Sequence, residues 1–218
     1  NISITGPNAA GKTTILKTTL FNIILSQQIG CGFYSSANIN PYHYLHCYLN
    51  IPDTSGRDSL FQAEARRCKE IIQCIDNSDN NHRHFCIFDE LYSGTNPYEA
   101  VASAHSFIKY LKTKNVNFIL TTHFINLCES IERNELCENY KMDINILENK
   151  EFIYKYKLTS GISNIKGGVK VLRDLEYPEN IITDTEKYLE NNNVNYKADE
   201  LMLKFSWDSL ALKLVKGL

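Results

Sequence analysis

The segment Gly6-Pro7-Asn8-Ala9-Ala10-Gly11-Lys12-Thr13-Thr14 constrains this chain more than any other stretch. It satisfies G-x-x-x-x-G-K-[ST], a phosphate-cradling pattern that needs a strand before it and a helix after it. The glycines let backbone amides turn inward around the phosphates of a nucleoside triphosphate. Lys12 supplies a point charge to the β- and γ-phosphates, and the Thr13 hydroxyl can coordinate Mg²⁺. Ile2-Ser3-Ile4-Thr5 reads as the short strand. Thr13 to about Gln28 reads as the helix, whose N-terminal dipole also favours phosphate. The competing reading is a glycine turn carrying a surface lysine.

A length of 218 residues, 43% hydrophobic and 22% charged, fits one large domain, or one domain with a small appendage, of a soluble globular protein. The net charge of −2 argues against a strongly basic nucleic-acid module, while leaving room for a local basic patch. No apolar run approaches the roughly 18 residues of a membrane span, and no signal peptide is visible. The chain starts with Asn1, almost inside a strand, so it is expected to be a fragment lacking its N-terminal partner domains.

Seven scattered cysteines without a C-x-x-C pair suggest reduced thiols in an intracellular compartment, cytoplasm or nucleus, and a protein that is not secreted. His43, His46 and Cys47, then His82, His84 and Cys86, resemble metal ligands at first sight. On an extended strand His84 and Cys86 would share a face. Neither trio has the paired spacing of a zinc motif, so no zinc is expected from either.

Helical periodicity alternates with strand-like runs. Leu16, Leu20, Ile23 and Ile24 share one helical face, as do Cys68, Ile71, Ile72 and Ile75, and again Ala104, Phe107, Ile108 and Leu111. Phe85 to Phe88 and Phe118 to Thr121 are short apolar strands. This alternation predicts a mostly parallel sheet covered by helices. The polar run 77–81 is a loop. Asp143 to Leu147 and Phe152 to Leu158 form an expected antiparallel hairpin around residues 148–150. The chain turns helical again from Val169. Pro178 sits at a plausible helix start, with a helix to about Glu190, and a last amphipathic helix is expected over 199–216. These last two helices are either a packed cover or a dimer contact.

Phe85-Cys86-Ile87-Phe88-Asp89-Glu90 runs four apolar residues into two carboxylates, a Walker B pattern. Such a strand ends at the carboxyl edge of the sheet, where ligands of α/β sheets sit. Asp89 can hold Mg²⁺ or its hydration shell, and Glu90 is placed to orient or deprotonate an attacking water. The distance from the glycine loop leaves room for a pair of strands and a helix. Thr121-Thr122-His123 ends the next strand. His123 can there bond a γ-phosphate, or the pair Thr122-His123 can start a helix at Phe124. Ser59 with Gln62 makes a capping box, and the same helix N-terminus can bind an anion, even one held by a twin subunit. His105 sits mid-helix with no sequence partner.

The order of these motifs resembles the ATPase domain of the MutS DNA mismatch-repair proteins, within the wider ABC-type ATPases. Gly6 to Thr14 is similar to G-P-N-x-x-G-K-S/T-T. Gly56-Arg57-Asp58-Ser59-Leu60-Phe61 is similar to G-R-S-T-F with a one-residue shift. Asp89 to Tyr98 resembles D-E-x-x-R-G-T-S-T-x-D/E-G, and Thr122-His123-Phe124 resembles T-H-Y/F. Tyr156-Lys157-Leu158 with Gly161-Ile162-Ser163 resembles Y-K-x-x-x-G-x-S, and Val171 to Leu189, through Tyr177 to Ile182, resembles the closing helices around L-P-x-x-I-I/V. The resemblance spans nearly the whole chain.

The resemblance implies a P-loop NTPase of ABC-ATPase type: an α/β core over 1–177, and a C-terminal helical segment over 178–218 that braces a partner subunit. It implies ATP and Mg²⁺ as cofactors and hydrolysis of ATP to ADP and phosphate. Gly6, Pro7, Asn8, Gly11, Lys12, Thr13 and Thr14 would bind the nucleotide, with Thr13 and Asp89 at the metal. Glu90 would activate water, assisted by Lys12, and His123 would sense the γ-phosphate. Ser59 would reach the γ-phosphate of the opposite subunit. Tyr156 would lie against adenine, although a plain sheet-face tyrosine fits as well. A homodimer or heterodimer acting on mismatched duplex DNA, mainly through domains outside this chain, completes the implied assembly, with no membrane. A chromosomal or recombination ATPase of ABC type, not specific for mismatches, is the alternative.

Ser93 stands where most members carry arginine, and Asn96-Pro97 replaces Ser-Thr, so a divergent branch is expected. The mismatch-reading Phe-x-Glu of a separate domain is absent, because Phe88-Asp89-Glu90 belongs to the Walker B strand. Arg57, Arg66, Arg67, Lys69 and Arg83 can offer phosphate contacts or simply form a solvated face.

Overall fold

A computed structural model describes residues 1–49, 51, 59–114, 116–148, 151–165 and 167–191. The chain divides into two compact units, Asn1–Ile165 and Lys166–Leu218. The first contains β1 (Ile2–Thr5), α1 (Lys12–Ile29), β2 (Tyr44–Tyr48), α2 (Leu60–Asp76), β3 (His84–Asp89) and α3 (Pro97–Thr113). After these come β4 (Asn117–Thr121), α4 (Ile125–Arg133), β5 (Glu138–Ile146) and β6 (Phe152–Ser160). In the second unit, α5 (Gly167–Asp174) is followed by helical residues 179–191, where Arg173 pairs with Glu186 at 2.9 Å. The helix expected at 199–216 lies outside the described residues.

The six strands form one sheet in the order β2-β3-β4-β1-β5-β6. All neighbours run parallel except the antiparallel β5–β6 pair. The fold is therefore mixed α/β with a mostly parallel sheet, as the alternation of periods predicts.

Both faces of β3 are buried, which explains its unbroken apolar run. Phe85 and Ile87 pack with Leu16 and Ile23 of α1 on one face. Cys86 and Phe88 pack on the other with Cys68, Ile71 and Ile75 of α2 and with Phe107 and Ile108 of α3. A strand covered on both sides reads as continuous rather than alternating hydrophobicity.

Helix ends follow local chemistry. Gly30, at φ 73°, stops α1 in the left-handed conformation open to glycine. Ser59 and Gln62 close the expected capping box on α2. The Asn96 side chain accepts from the Glu99 amide at 3.1 Å, ahead of Pro97 in the first turn of α3. His105 does have a partner, since its Nδ1 lies 3.0 Å from Ser130 Oγ on α4.

Two elements differ from the sequence reading. Between the glycine loop and β3 the described residues hold α1, β2 and α2, so one strand stands where a pair was expected. The strand β2 is hard to read because a polar residue, His46, occupies a buried position in it. Its ring Nε2 lies 3.0 Å from His84 Nδ1 on β3. Burial, then His84 and Arg67, hold its pKa down at about 4, so the imidazole is neutral near pH 7. The hairpin strand begins at Glu138 instead of Asp143. Residues Glu138 to Lys141 pair in parallel with β1, a contact that only the fold creates.

Phe88 is fully buried and meets Phe107 edge-on at 5.5 Å between ring centroids. Phe88→Ala is expected to destabilise the domain by about 3–5 kcal/mol, seen as a lowered denaturation midpoint in urea.

Candidate active site

The first βα turn, the end of β3 and the end of β4 meet at the carboxyl edge of the sheet. Gly11 begins α1 at φ 95°, and a Cβ there would lie 3.2 Å from the Tyr156 ring. Gly6, at φ 151°, would bring a Cβ to 3.1 Å from Met142. Glycine is needed at both turns, for backbone freedom and for space. Ala9, between them, also has positive φ at 62°.

The Lys12 ammonium is buried and donates to Gly6 O at 2.8 Å and Pro7 O at 3.2 Å. Burial lowers its pKa, while the charges of Glu90 and Asp89 oppose the shift. The loop therefore holds its own cation with its carbonyls, ready to be turned toward an anion.

Asp89 joins three elements. Its Oδ2 accepts from Thr13 Oγ1 at 2.8 Å, and its Oδ1 accepts from Thr121 Oγ1 at 2.6 Å. Thr121 is its register partner on β4. Sequence reading noted Thr121 only as part of a strand end; the signal that assigns it is its cross-strand position opposite Asp89. The hard oxygens Thr13 Oγ1 and Asp89 Oδ2 suit Mg²⁺.

Glu90 follows β3 with φ 55°, and its amide donates to Thr121 O at 3.1 Å. His123 Nε2 lies 2.6 Å from Glu90 Oε1. The hydrogen bond from His123, opposed by burial and aided by the charges of His123 and Lys12, depresses the Glu90 pKa. Thr122 does not cap α4. Its Oγ1 accepts from the Phe124 amide at 3.0 Å, and Phe124 itself is the N-cap, without a side-chain bond.

Tyr156 reaches this edge through an irregularity in β6. The β5–β6 register shifts between Met142 and Ile144, and Tyr156 takes φ 52°. A bulge of this kind re-aims a side chain, and here the ring sits against Gly11. A cleft of about 640 Å³, lined in part by Asn8, Lys12, Thr13, Thr14, Glu90 and Tyr156, opens here. Its volume lies inside the 300–1,000 Å³ range of small-molecule sites.

Ser59 caps α2 and does not line this cleft. The neighbouring signature residues Gly56, Arg57 and Asp58 lie outside the described residues. Arg67 is occupied, donating to Cys47 O and pairing with Glu70 at 2.8 Å. Arg83 is also committed, to the Pro41 carbonyl at 3.2 Å and over the Tyr42 ring at 4.4 Å.

Sequence reading missed Glu64. Buried on α2, its carboxylate accepts from Ser93 N and Ser93 Oγ, both at 3.1 Å, and from Gly94 N at 3.0 Å. It thereby fixes the turn that follows Glu90. The available signal was a carboxylate four residues before Cys68, on the helix face turned to the core.

These features define an α/β domain whose mostly parallel sheet presents a glycine-loop cleft, with converging lysine, threonine and carboxylate groups, at its carboxyl edge. The chain belongs to the family described as MutS domain V, whose sequence model matches residues 2–192. It is similar to Endonuclease MutS2 of Clostridium botulinum (strain ATCC 19397 / Type A), 27% identical over 197 residues, covering 90% of this chain and 24% of that protein. Endonuclease MutS2 of Clostridium perfringens (strain SM101 / Type A) is 26% identical over 194 residues, covering 89% of this chain and 24% of that protein. The chain spans about a quarter of the length of these curated relatives. Among the described residues no helix is long and apolar enough to cross a membrane.

Glu64→Ala is expected to leave the Ser93 and Gly94 donors unpaired in a buried turn and to destabilise the domain by roughly 1–3 kcal/mol. Glu64→Gln, which keeps one acceptor, should lose less. Thermal unfolding of the two variants checks the order.

Proposed function

We propose that this domain binds ATP with Mg²⁺ and hydrolyses it to ADP and phosphate, as the ATPase part of a MutS-family protein that acts on DNA. The observation that carries the reading is the convergence of Lys12, Thr13 and Glu90 on one cleft, with Asp89 hydrogen-bonded to Thr13. The residues fit the cation, because Thr13 Oγ1 and Asp89 Oδ2 are hard oxygens 2.8 Å apart. They would hold Mg²⁺ between them, with Asp89 steadied by Thr121. When bound, Mg²⁺ would neutralise charge on the transferred phosphoryl group.

The remaining work falls to the chain itself. Gly6, Pro7, Asn8, Gly11 and Thr14 shape the phosphate cradle at the N-terminus of α1, where unpaired amides and the helix dipole attract anions. Lys12 exchanges its two loop carbonyls for phosphate oxygens. Glu90, kept ionised by His123, accepts a hydrogen bond from the attacking water and aligns it. His123 couples that carboxylate to the end of β4 and thereby registers the presence of the γ-phosphate. Tyr156 offers its exposed ring to the base. Most of the rate then comes from positioning and fixed electrostatics.

We extend the proposal to a dimer, in a reducing intracellular compartment. Ser59, at the N-terminus of α2, contacts the γ-phosphate held by the opposite subunit, and the helical segment over 178–218, following the core at 1–177, braces that subunit. ATP state then moves clamp domains on mismatched DNA. A second reading, a DNA-acting ATPase without mismatch preference, draws support from the relatives' printed name, which is endonuclease.

Glu90→Gln is expected to cut ATP turnover by about 10²–10⁴-fold while leaving nucleotide binding measurable; unchanged turnover in the purified protein would overturn the assigned chemistry. The DNA readings separate by comparing affinities of the full-length protein for a one-mismatch heteroduplex and for matched duplex, with ADP and with ATP at fixed salt. Tighter heteroduplex binding that ATP loosens supports mismatch sensing. Equal binding with intact turnover supports the second reading.

A further inference from the structure

At the outer edge of the sheet, away from the cleft, the two histidine clusters of the sequence contribute one residue each to a single group. His46 of β2, Cys74 of α2 and His84 of β3 place their ligand atoms within 4.8 Å of one another. Their spacing along the chain, 28 and 10 residues, conceals them as a motif. Each comes from a different element, and Cys74 was outside both clusters.

The hydrogen bonds fix which atoms carry lone pairs. Ser78 Oγ donates to Ile75 O at 2.8 Å, so its single proton is used. The same oxygen lies 2.9 Å from His84 Nε2 and must accept from it. His84 Nδ1 is therefore bare. It faces His46 Nε2 at 3.0 Å, which donates to it. His46 and His84 are buried, and Cys74 is partly exposed, which leaves a route from solvent.

We propose that His46 Nε2, Cys74 Sγ and His84 Nδ1 form a site for a zinc-class divalent cation, with water in the fourth position. Two imidazoles and a thiolate are the ligand set that a borderline-soft tetrahedral ion selects. Zn–N bonds of about 2.0–2.1 Å and a Zn–S bond of about 2.3 Å set ligand spacings of roughly 3.3–3.8 Å. The two nitrogens, 3.0 Å apart, are already close to that spacing, and the ligand atoms of all three residues lie within 4.8 Å of one another. Ser78 supplies the outer contact that orients a ligating histidine through its other nitrogen. On binding, Cys74 releases its thiol proton to solvent, and His46 keeps one proton by moving it from Nε2 to Nδ1. No electron is transferred. The ion would cross-link β2, α2 and β3, stapling an edge strand to the helix that Ser59 caps.

The test is a Co²⁺ titration of the purified full chain, with excess Mg²⁺ present to occupy the hard-oxygen pair Thr13–Asp89. The wild type should take up one Co²⁺ with tetrahedral visible bands and a thiolate-to-cobalt charge-transfer band, both removed by Zn²⁺. Cys74→Ser should abolish the charge-transfer band, whereas Cys31→Ser, at an exposed cysteine, should retain it. Ser78→Ala should weaken Co²⁺ binding by about 10–100-fold. His46→Gln is the second ligand variant and should also lose the tight site. Absence of the band in wild type, or its persistence in either Cys74→Ser or His46→Gln, overturns the proposal.

Discussion

The Asp89 carboxylate is the contact on which the rest of the cleft depends. One oxygen holds Thr13 at the start of α1, and the other holds Thr121 at the end of β4. Three segments far apart in sequence are thus referenced to one side chain at the tip of β3. Hydrogen bonds to a charged acceptor contribute about 1.5–3 kcal/mol each, comparable to a buried apolar side chain. Their larger consequence is geometric: the hydroxyl of Thr13 cannot drift from β3 without leaving a carboxylate oxygen unpaired.

Beyond Asp89 the chain leaves regular strand geometry at once. Glu90 and Tyr92 both take positive φ, at 55° and 59°, an arrangement that non-glycine residues adopt only where surroundings enforce it. The enforcing contacts are visible. Glu90 N is tied to Thr121 O, Tyr92 N to the Tyr48 hydroxyl at 3.3 Å, and the next two amides to Glu64. A turn held by four amide contacts between residues 90 and 94 projects the Glu90 carboxylate away from the core toward Lys12 and His123. Ser93 is absorbed into this clamp through both its amide and its hydroxyl.

Much of this was legible in the sequence, because it rests on local chemistry. The glycine loop, the apolar run into Asp89-Glu90, the Ser59 capping box and the faces of α1, α2 and α3 depend on residues within a few positions of one another. What escaped depends on pairing across the sheet. The early start of β5 exists only because β1 lies beside it. Thr121 gains its partner only through the β3–β4 register, and Glu64 only because α2 passes the turn after β3. β2 was obscured by His46, a polar residue at a core position, whose burial is tolerable once His84 answers its hydrogen bond. Tyr156 was placed near the nucleotide by resemblance, and the bulge that aims it could not be read from an ordinary alternating strand.

The same contrast separates the two ends of the sheet. At the carboxyl edge, the groups come from chain turns whose order the sequence preserves, so a motif records them. At the β2 edge, the groups come from the middle of a strand, the last turn of a helix and the first residue of another strand. No linear pattern can record that set, yet its hydrogen bonds are as specific as those around Asp89: one hydroxyl proton, committed to Ile75 O, fixes the tautomer of His84 and with it the donor role of His46. A buried polar group without a complete set of partners is destabilising, so such a pair persists only where each proton has a place. That condition is met with the two histidines alone, and a cation would enter only as Cys74 loses its thiol proton and the His46 proton moves from Nε2 to Nδ1.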